Sequence, residues 1–228
     1  MRNTPMISKA HLDTSAILEK IKISQSKAGT QYFVWEDFID SELYQRVEKE
    51  IQEQSYNKVD THSSHHRNNK TVLLKGEALH KLHNFFESRV LEKFLSLFVG
   101  QDIKQEFYID QKEIQSLVWD DAFRGAVAQI YEKWDFFDWH IDGPTSQGSL
   151  WAFTYYLWWY TGEWNENFGW NLELWKRGVN GEIACESVVP YKKNTLVLII
   201  ASSEAYHRVT KLEKDILRLS IQSTIMKK

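Results

Sequence analysis

The second half of the chain consists of short runs rich in β-branched and aromatic residues: "GAVAQIY", "DWHID", "WAFTYYLWW", "NLELWK", "ACESVVPY", "TLVLIIAS", "HRVTKL" and "RLSIQSTI", separated by Gly, Pro, Asn and Asp. Such side chains suit a pleated surface, and the separating residues suit turns. Eight segments of this kind in about a hundred residues predict two packed antiparallel sheets or a barrel. The expected fold class is mainly β with flanking helices: a double-stranded β-helix (jelly roll, cupin-like) core with N-terminal helices packed on one sheet.

The helices come from the first half. "YFVWEDFI", starting at Tyr32, reads as a short strand leading into a helix. Asp40 is its expected N-cap, because a carboxylate there meets backbone N–H groups that the first turn leaves unsatisfied. Leu43, Val47 and Ile51 recur every four residues and put one apolar stripe on the core side. Leu79, Leu82, Phe86, Val90, Phe94 and Phe98 follow at near-helical spacing, with Gly100 as the C-cap. His80 and His83 on that helix lack a carboxylate or cysteine at matching spacing and read as surface or boundary residues. Between the two helices, "NKVDTHSSHHRNNK" is polar and aperiodic, a loop in which His62, His65 and His66 are tolerated polar residues rather than metal ligands. A loop that folds over a pocket would bring them to a substrate. Residues 1–31 read as an N-terminal extension with a short helix from Ser15 to Ile23, and residues 32–228 as a single domain.

Composition narrows the function. With 228 residues, 43% hydrophobic and 14% aromatic, the chain can bury one sizeable core. A net charge of -3 shows no basic excess for a phosphate backbone, so nucleic acid is not the expected partner. One cysteine, Cys185, cannot form an internal disulfide, and no apolar run has signal-peptide or membrane-span length. The expectation is a cytoplasmic protein with no membrane association and no defined oligomeric state.

"FFDWHIDGP", Phe136 to Pro144, carries the chemistry. In an extended strand alternate side chains share a face, so His140 and Asp142 point one way while Trp139 and Ile141 point the other. An imidazole nitrogen and a carboxylate oxygen aimed at one point suit a metal. His207, 67 residues later in "EAYHRVTKL", follows a strongly apolar strand and is the natural third ligand. Two histidines and one carboxylate on one face of an octahedral metal leave open positions, the arrangement of non-haem Fe(II) oxygenases. Eleven residues beyond His207 lies Arg218, alternating with Ser220 and Gln222 on a strand whose other face is Leu217, Leu219 and Ile221. A guanidinium on such a face is suited to gripping a carboxylate with two parallel hydrogen bonds.

This order of residues resembles the signature of the Fe(II)/2-oxoglutarate-dependent dioxygenase superfamily, most nearly its prolyl 4-hydroxylase-like branch. Tyr131 stands nine residues before His140, as a tyrosine does in that branch. "TYYLWW" matches its aromatic pair before a leucine, and Trp164, Gly169, Leu172 and Leu174 in "EWNENFGWNLELW" match its tryptophan, glycine turn and L-x-L strand. The likeness covers about residues 32 to 226 and is clearest from Tyr131 onward. Two departures concern the pocket: Gly169-Trp170 stands where the family often has Gly-Gly, and Trp158 where it often has asparagine.

The resemblance implies an enzyme with His140, Asp142 and His207 as catalytic metal ligands. Arg218 would pair with the distal carboxylate of 2-oxoglutarate, helped by Tyr156, Tyr131 or Thr154, with Ser220 on the same face. Fe(II), 2-oxoglutarate as cosubstrate and O2 are implied, with ascorbate as a candidate reductant. The implied reaction is hydroxylation of an unactivated C–H bond of an amino-acid-like substrate, free, peptide-borne or carrier-bound, with release of succinate and CO2. Halogenating relatives replace the carboxylate ligand by a small residue, so Asp142 favours hydroxylation. The tryptophans around the ligands, among them Trp134, Trp139, Trp158, Trp159 and Trp175, are mostly expected in core packing, with some lining a pocket for an apolar or ring-bearing group. Two other readings remain open at this point: a non-catalytic jelly-roll module that binds a metal or a small acid, and a cupin-type metalloenzyme that does not use 2-oxoglutarate.

Overall fold

Twelve strands and two helices form among the described residues: β1 (Tyr32–Trp35), α1 (Ser41–Gln52), β2 (Asn57–Ser63), β3 (Arg67–Lys75), α2 (Glu77–Phe86), β4 (Ile103–Glu106), β5 (Gly125–Tyr131), β6 (Phe136–His140), β7 (Ser149–Trp159), β8 (Leu172–Arg177), β9 (Ile183–Val189), β10 (Thr195–Ile200), β11 (His207–Val209) and β12 (Arg218–Lys227). The structure is a computed structural model. It describes residues 6–7, 32–55, 57–64, 67–86, 88, 91, 103–106, 124–141, 149–159, 168–169, 171–177, 180–189, 191–200, 205–211 and 213–227. The eight strands expected in the second half are β5 to β12.

They belong to one antiparallel sheet that curls on itself in the order β1-β10-β7-β12-β5-β3-β6-β11-β8-β9, with β2 on β3 and β4 on β12. The turning point is β3, which pairs with β5 from Lys70 to Lys75 and with β6 through Arg67 and Asn68. This is the jelly roll that the strand pattern predicts.

Alternation gives the β12 side of the roll two unlike faces. Leu219 and Ile221, with Ala128, Ile130, Val72, Leu74, Tyr155, Leu196 and Leu198, pack against Leu43, Val47 and Ile51 of α1 and Leu79, Leu82 and Phe86 of α2. Inside the roll, Val197 and Ile199 meet Leu172, Leu174 and Tyr191 in a second cluster. The helices therefore cover one sheet, as expected. Asp40 caps α1, its Oδ1 accepting from the Glu42 N–H at 3.0 Å. Glu50 of α1 does the same for α2 from a distance: Oε1 accepts from Ala78 N–H and Oε2 from Leu79 N–H, both at 2.9 Å. A Cβ on Gly76 would sit 2.1 Å from that Oε2, so the carboxylate requires glycine there.

Two expectations need correction. The polar segment expected as a loop is largely a β-hairpin, with Asn57 opposite Leu73 and Ser63 opposite Asn68. It shows no apolar alternation because the face of β3 that carries Asn69 and Thr71 is buried against polar partners instead of the apolar core. His83 is buried rather than at the surface: α2 turns it inward beside Leu79 and Leu82, and burial, reinforced by His80, pushes its pKa down to about 4. His80 stays at the boundary, its Nε2 2.8 Å from the Arg124 guanidinium. The Ser15–Ile23 helix, Val90, Phe94, Phe98, Gly100, His65 and His66 lie outside the described residues.

Candidate active site

His207 pairs directly with His140 across β11 and β6. Their rings face each other with centroids 4.1 Å apart and planes 58° apart. His140 Nδ1 lies 2.7 Å from the Asp138 carbonyl oxygen, and His207 Nδ1 lies 3.1 Å from that of Ala205. A carbonyl only accepts, so each Nδ1 carries the proton and each Nε2 carries the lone pair, the form in which neutral imidazole ligates a metal. The His–His donor set thus fits a transition metal. Asp142 lies outside the described residues.

A bulge shapes this site. Four residues of β6, from Phe137 to His140, span only three of β11, from Val209 to His207. One extra residue reverses the alternation, so Phe137 and His140 come to the same side. Their rings stack with centroids 3.5 Å apart and planes 10° apart. Trp139 instead packs edge-on against Trp175, with Arg208 above it 4.3 Å from the ring centre. Arg208 is in turn held by Glu173. Trp134 is half exposed in the β5–β6 turn. Trp139 and Trp175 thus belong to the scaffold beside His140, while Trp134 lies against Lys133 and Lys211.

The turn leading into β6 is pinned from β3. Asn68 Nδ2 donates to Asp135 Oδ1 at 2.7 Å, and Lys70 Nζ donates to Glu132 Oε2 at 2.6 Å and to Asp135 Oδ2 at 3.3 Å. Burial alone would lower the Lys70 pKa, but its bonds and charges with Glu132 and Asp135 outweigh this and raise it. The pinned turn tolerates Trp134 at a φ of 75°.

Arg218 is fully buried. It stands opposite Tyr131 on β5 and Trp159 on β7. Its guanidinium carbon is 5.0 Å from the centre of the Tyr131 ring and 4.9 Å from that of Tyr191, a cation held between aromatic faces. Tyr191 is fixed by its hydroxyl, which donates to the Leu219 carbonyl at 2.8 Å. Ser220 is also buried, and Gln222 Nε2 lies 3.4 Å from its Oγ. Tyr156 stands opposite Ser220, and Thr154 opposite Gln222, in the strand register; their side chains lie outside the described set. The chain fold thus brings His140 to His207, and Tyr131 to Arg218. Reading by alternation missed Tyr191, and also Phe137, whose face depends on the bulge.

Comparison with known proteins agrees with this fold. A family model described as the 2OG-Fe(II) oxygenase superfamily matches residues 126–225. A Pseudomonas putida prolyl-4-hydroxylase is similar over 92% of this chain and 99% of its own, at 14% identity and a TM-score of 0.58. The chain has the fold of the 2OG-Fe(II) oxygenases. A Trichoplax adhaerens prolyl hydroxylase, solved with a hypoxia inducible factor oxygen degradation domain peptide fragment, aligns over 94% of both chains at 15% identity with a TM-score of 0.57. SnoN, a non-heme alpha ketoglutarate dependent epimerase from nogalamycin biosynthesis, aligns over 93% of this chain and 83% of its own at 13% identity with a TM-score of 0.59. One oxygenase fold therefore carries different reactions, and the site must decide among them. None of the curated proteins matches the sequence. No helix among the described residues is long and apolar enough to cross a membrane.

Proposed function

We propose that this chain is an Fe(II)- and 2-oxoglutarate-dependent dioxygenase that hydroxylates an unactivated C–H bond of an amino-acid-like substrate, with release of succinate and CO2. The observation that carries it is the facing pair His140 and His207, each with its Nδ1 proton held by a backbone carbonyl. With Asp142 they would complete a two-histidine, one-carboxylate ligand set. Fe(II) held there supplies the activation of O2 coupled to decarboxylation of the cosubstrate.

The protein's own groups do the rest. Arg218, confined between Tyr131 and Tyr191, would receive the distal carboxylate of 2-oxoglutarate with little reorganisation, because its guanidinium is already desolvated and oriented. Ser220, Tyr156 and Thr154 are the further cosubstrate contacts we assign on β12 and β7. Phe137, stacked on His140, restrains that ring and would limit the access of water to a metal held by it. The presence of Asp142 favours hydroxylation over halogenation, and ascorbate would serve to keep the iron reduced. The partner is a small molecule or a peptide; we assign a cytoplasmic location, with no membrane or nucleic-acid role.

The test is anaerobic addition of Fe(II) and 2-oxoglutarate to the purified protein, followed by visible spectroscopy. The expected result is a metal-to-ligand charge-transfer band that is lost in His140→Ala and weakened in Arg218→Ala. Metal bound without such a band would remove the oxygenase reading and leave a binding module or a cupin-type enzyme.

A further inference from the structure

A second arginine lies close to the histidines. Arg67 opens β3 at the point where that strand pairs with β6, and its register partner is Phe137. The guanidinium carbon lies 5.1 Å from the centre of the Phe137 ring, the same ring that stacks on His140. Arg67 is thus separated from the proposed metal ligand by one aromatic side chain.

Its orientation is fixed from behind. Arg67 Nε donates to Asn69 Oδ1 at 2.6 Å. Asn69 is fully buried and donates through Nδ2 to Gln129 Oε1 at 2.7 Å, while Gln129 Nε2 reaches Thr71 Oγ1 at 3.2 Å. A chain of amides on β3 and β5, with Asn69 at its buried centre, therefore consumes the Nε edge and holds the guanidinium plane. The two terminal nitrogens remain, and no hydrogen bond or ion pair to them is formed among the described residues. Glu132 and Asp135, the acids of the adjoining turn, are engaged by Lys70 and Asn68. Such a pre-oriented pair of N–H groups matches a carboxylate.

We infer that Arg67 binds the substrate and selects one that carries a free carboxylate. This rests on the oxygenase reading above and narrows it. Arg218 is fully buried and suits the cosubstrate, whereas Arg67 is half buried, at a depth that an incoming second acid can reach. A free amino acid and a peptide C-terminus share this chemistry. An internal peptide residue or a carrier-bound thioester lacks it.

The test uses the anaerobic Fe(II)·2-oxoglutarate complex and calorimetric titration with matched probes: N-acetyl-phenylalanine and N-acetyl-leucine against their carboxamides, and tripeptides ending in these residues with free or amidated C-termini. Acids are expected to bind at least tenfold more tightly than amides. Unacylated phenylalanine and leucine, titrated in parallel with the tripeptides, separate the two sources of carboxylate. In Arg67→Leu the preference should vanish while the charge-transfer band persists, and Arg67→Lys should keep a reduced preference. A failure of Arg67→Leu to fold leaves Arg67→Lys to decide, with an undiminished preference there counting against a paired hydrogen bond. Acids no better than amides, including no binding by either, would overturn the assignment, as would a preference that survives in Arg67→Leu. If the wild-type complex shows no band before any probe is added, the oxygenase reading fails first and takes this assignment with it.

Discussion

β12 presents two faces of one strand to two different environments. Leu219 and Ile221 face α1 and α2 and are fully buried among apolar side chains. Arg218 and Ser220 alternate with them, are equally buried, and face Tyr131, Tyr191 and the interior of the roll. Equal burial thus has opposite meanings on the two sides. The helix-facing residues supply transfer free energy and close packing. The interior-facing arginine contributes no such gain, since desolvating a charge is costly and the described side chains against its guanidinium are the rings of Tyr131 and Tyr191. In the proposed function this cost is offset when the guanidinium receives the cosubstrate carboxylate.

Substitutions on the two faces should therefore separate function from stability. The largest effect belongs to Arg218→Leu. Affinity for 2-oxoglutarate should fall by at least about thirtyfold, because losing one partner of a buried charge-assisted pair costs roughly 2–5 kcal/mol. The melting temperature of the cosubstrate-free protein should hold or rise, since apolar replacement of a buried charge is often neutral or stabilising. Calorimetric titration with 2-oxoglutarate and a thermal melt on the same sample test both halves; a lower melting temperature with unchanged affinity would invert the comparison.

Ile221→Ala, three residues along, should do the reverse. Removing a fully buried isoleucine side chain costs about 2–5 kcal/mol, read as a lower denaturation midpoint at unchanged slope. The fraction that remains folded should bind 2-oxoglutarate as the wild type does.

How much of this was legible in the sequence follows the same division. β5 to β12 could be read because their residues are β-branched or aromatic and their boundaries hold turn residues. α1 could be read from Asp40 and the Leu43, Val47, Ile51 stripe. The β2–β3 hairpin could not, because Asn69 and Thr71 are buried by polar partners that lie about sixty residues away on β5, and a polar strand that pairs with polar residues has no hydrophobic period to detect. The facing of His140 and His207 was implicit in their order. The stacking of Phe137 was not, since a bulge reverses alternation without leaving a mark in composition. Tyr191 lies beyond the end of β9, where no period fixes its direction, and only the fold brings it to Arg218.

A smaller effect is expected at the joint between the helix layer and the sheet. Asn194, buried at the start of β10 with a φ of 56°, accepts from Ile39 N–H at 3.0 Å and from the Tyr155 hydroxyl at 2.7 Å, and donates to the Ile39 carbonyl at 3.1 Å. Asn194→Ala should cost about 2–3 kcal/mol, from buried groups left unsatisfied and a backbone conformation that alanine resists. Asn194→Gly relieves the backbone part alone and should recover about 1 kcal/mol of that loss. Chemical denaturation of the three proteins separates side-chain bonding from conformation; equal stability of the Ala and Gly variants would assign the whole effect to the bonds.

The smallest effect tests the helix face by pH. His83 is buried on α2, and its pKa is pushed down to about 4 by desolvation and by His80. In the unfolded chain it would titrate near 6.5. Between these values the unfolded state binds the extra proton, so stability is fully present above about pH 6.5 and is lost as pH falls toward 4. At pH 5.5 the loss should be about 1.4 kcal/mol, one pH unit of linkage for one proton. His83→Leu removes this proton while keeping the side chain apolar within the helix layer. The difference between wild-type and variant stability should therefore grow in favour of the variant from pH 7 to pH 5, measured by urea denaturation at each pH. A constant difference across that range would mean that His83 is reached by water and protonates in the folded state. The helix-facing layer would then be less dry than the apolar half of the β12 comparison requires.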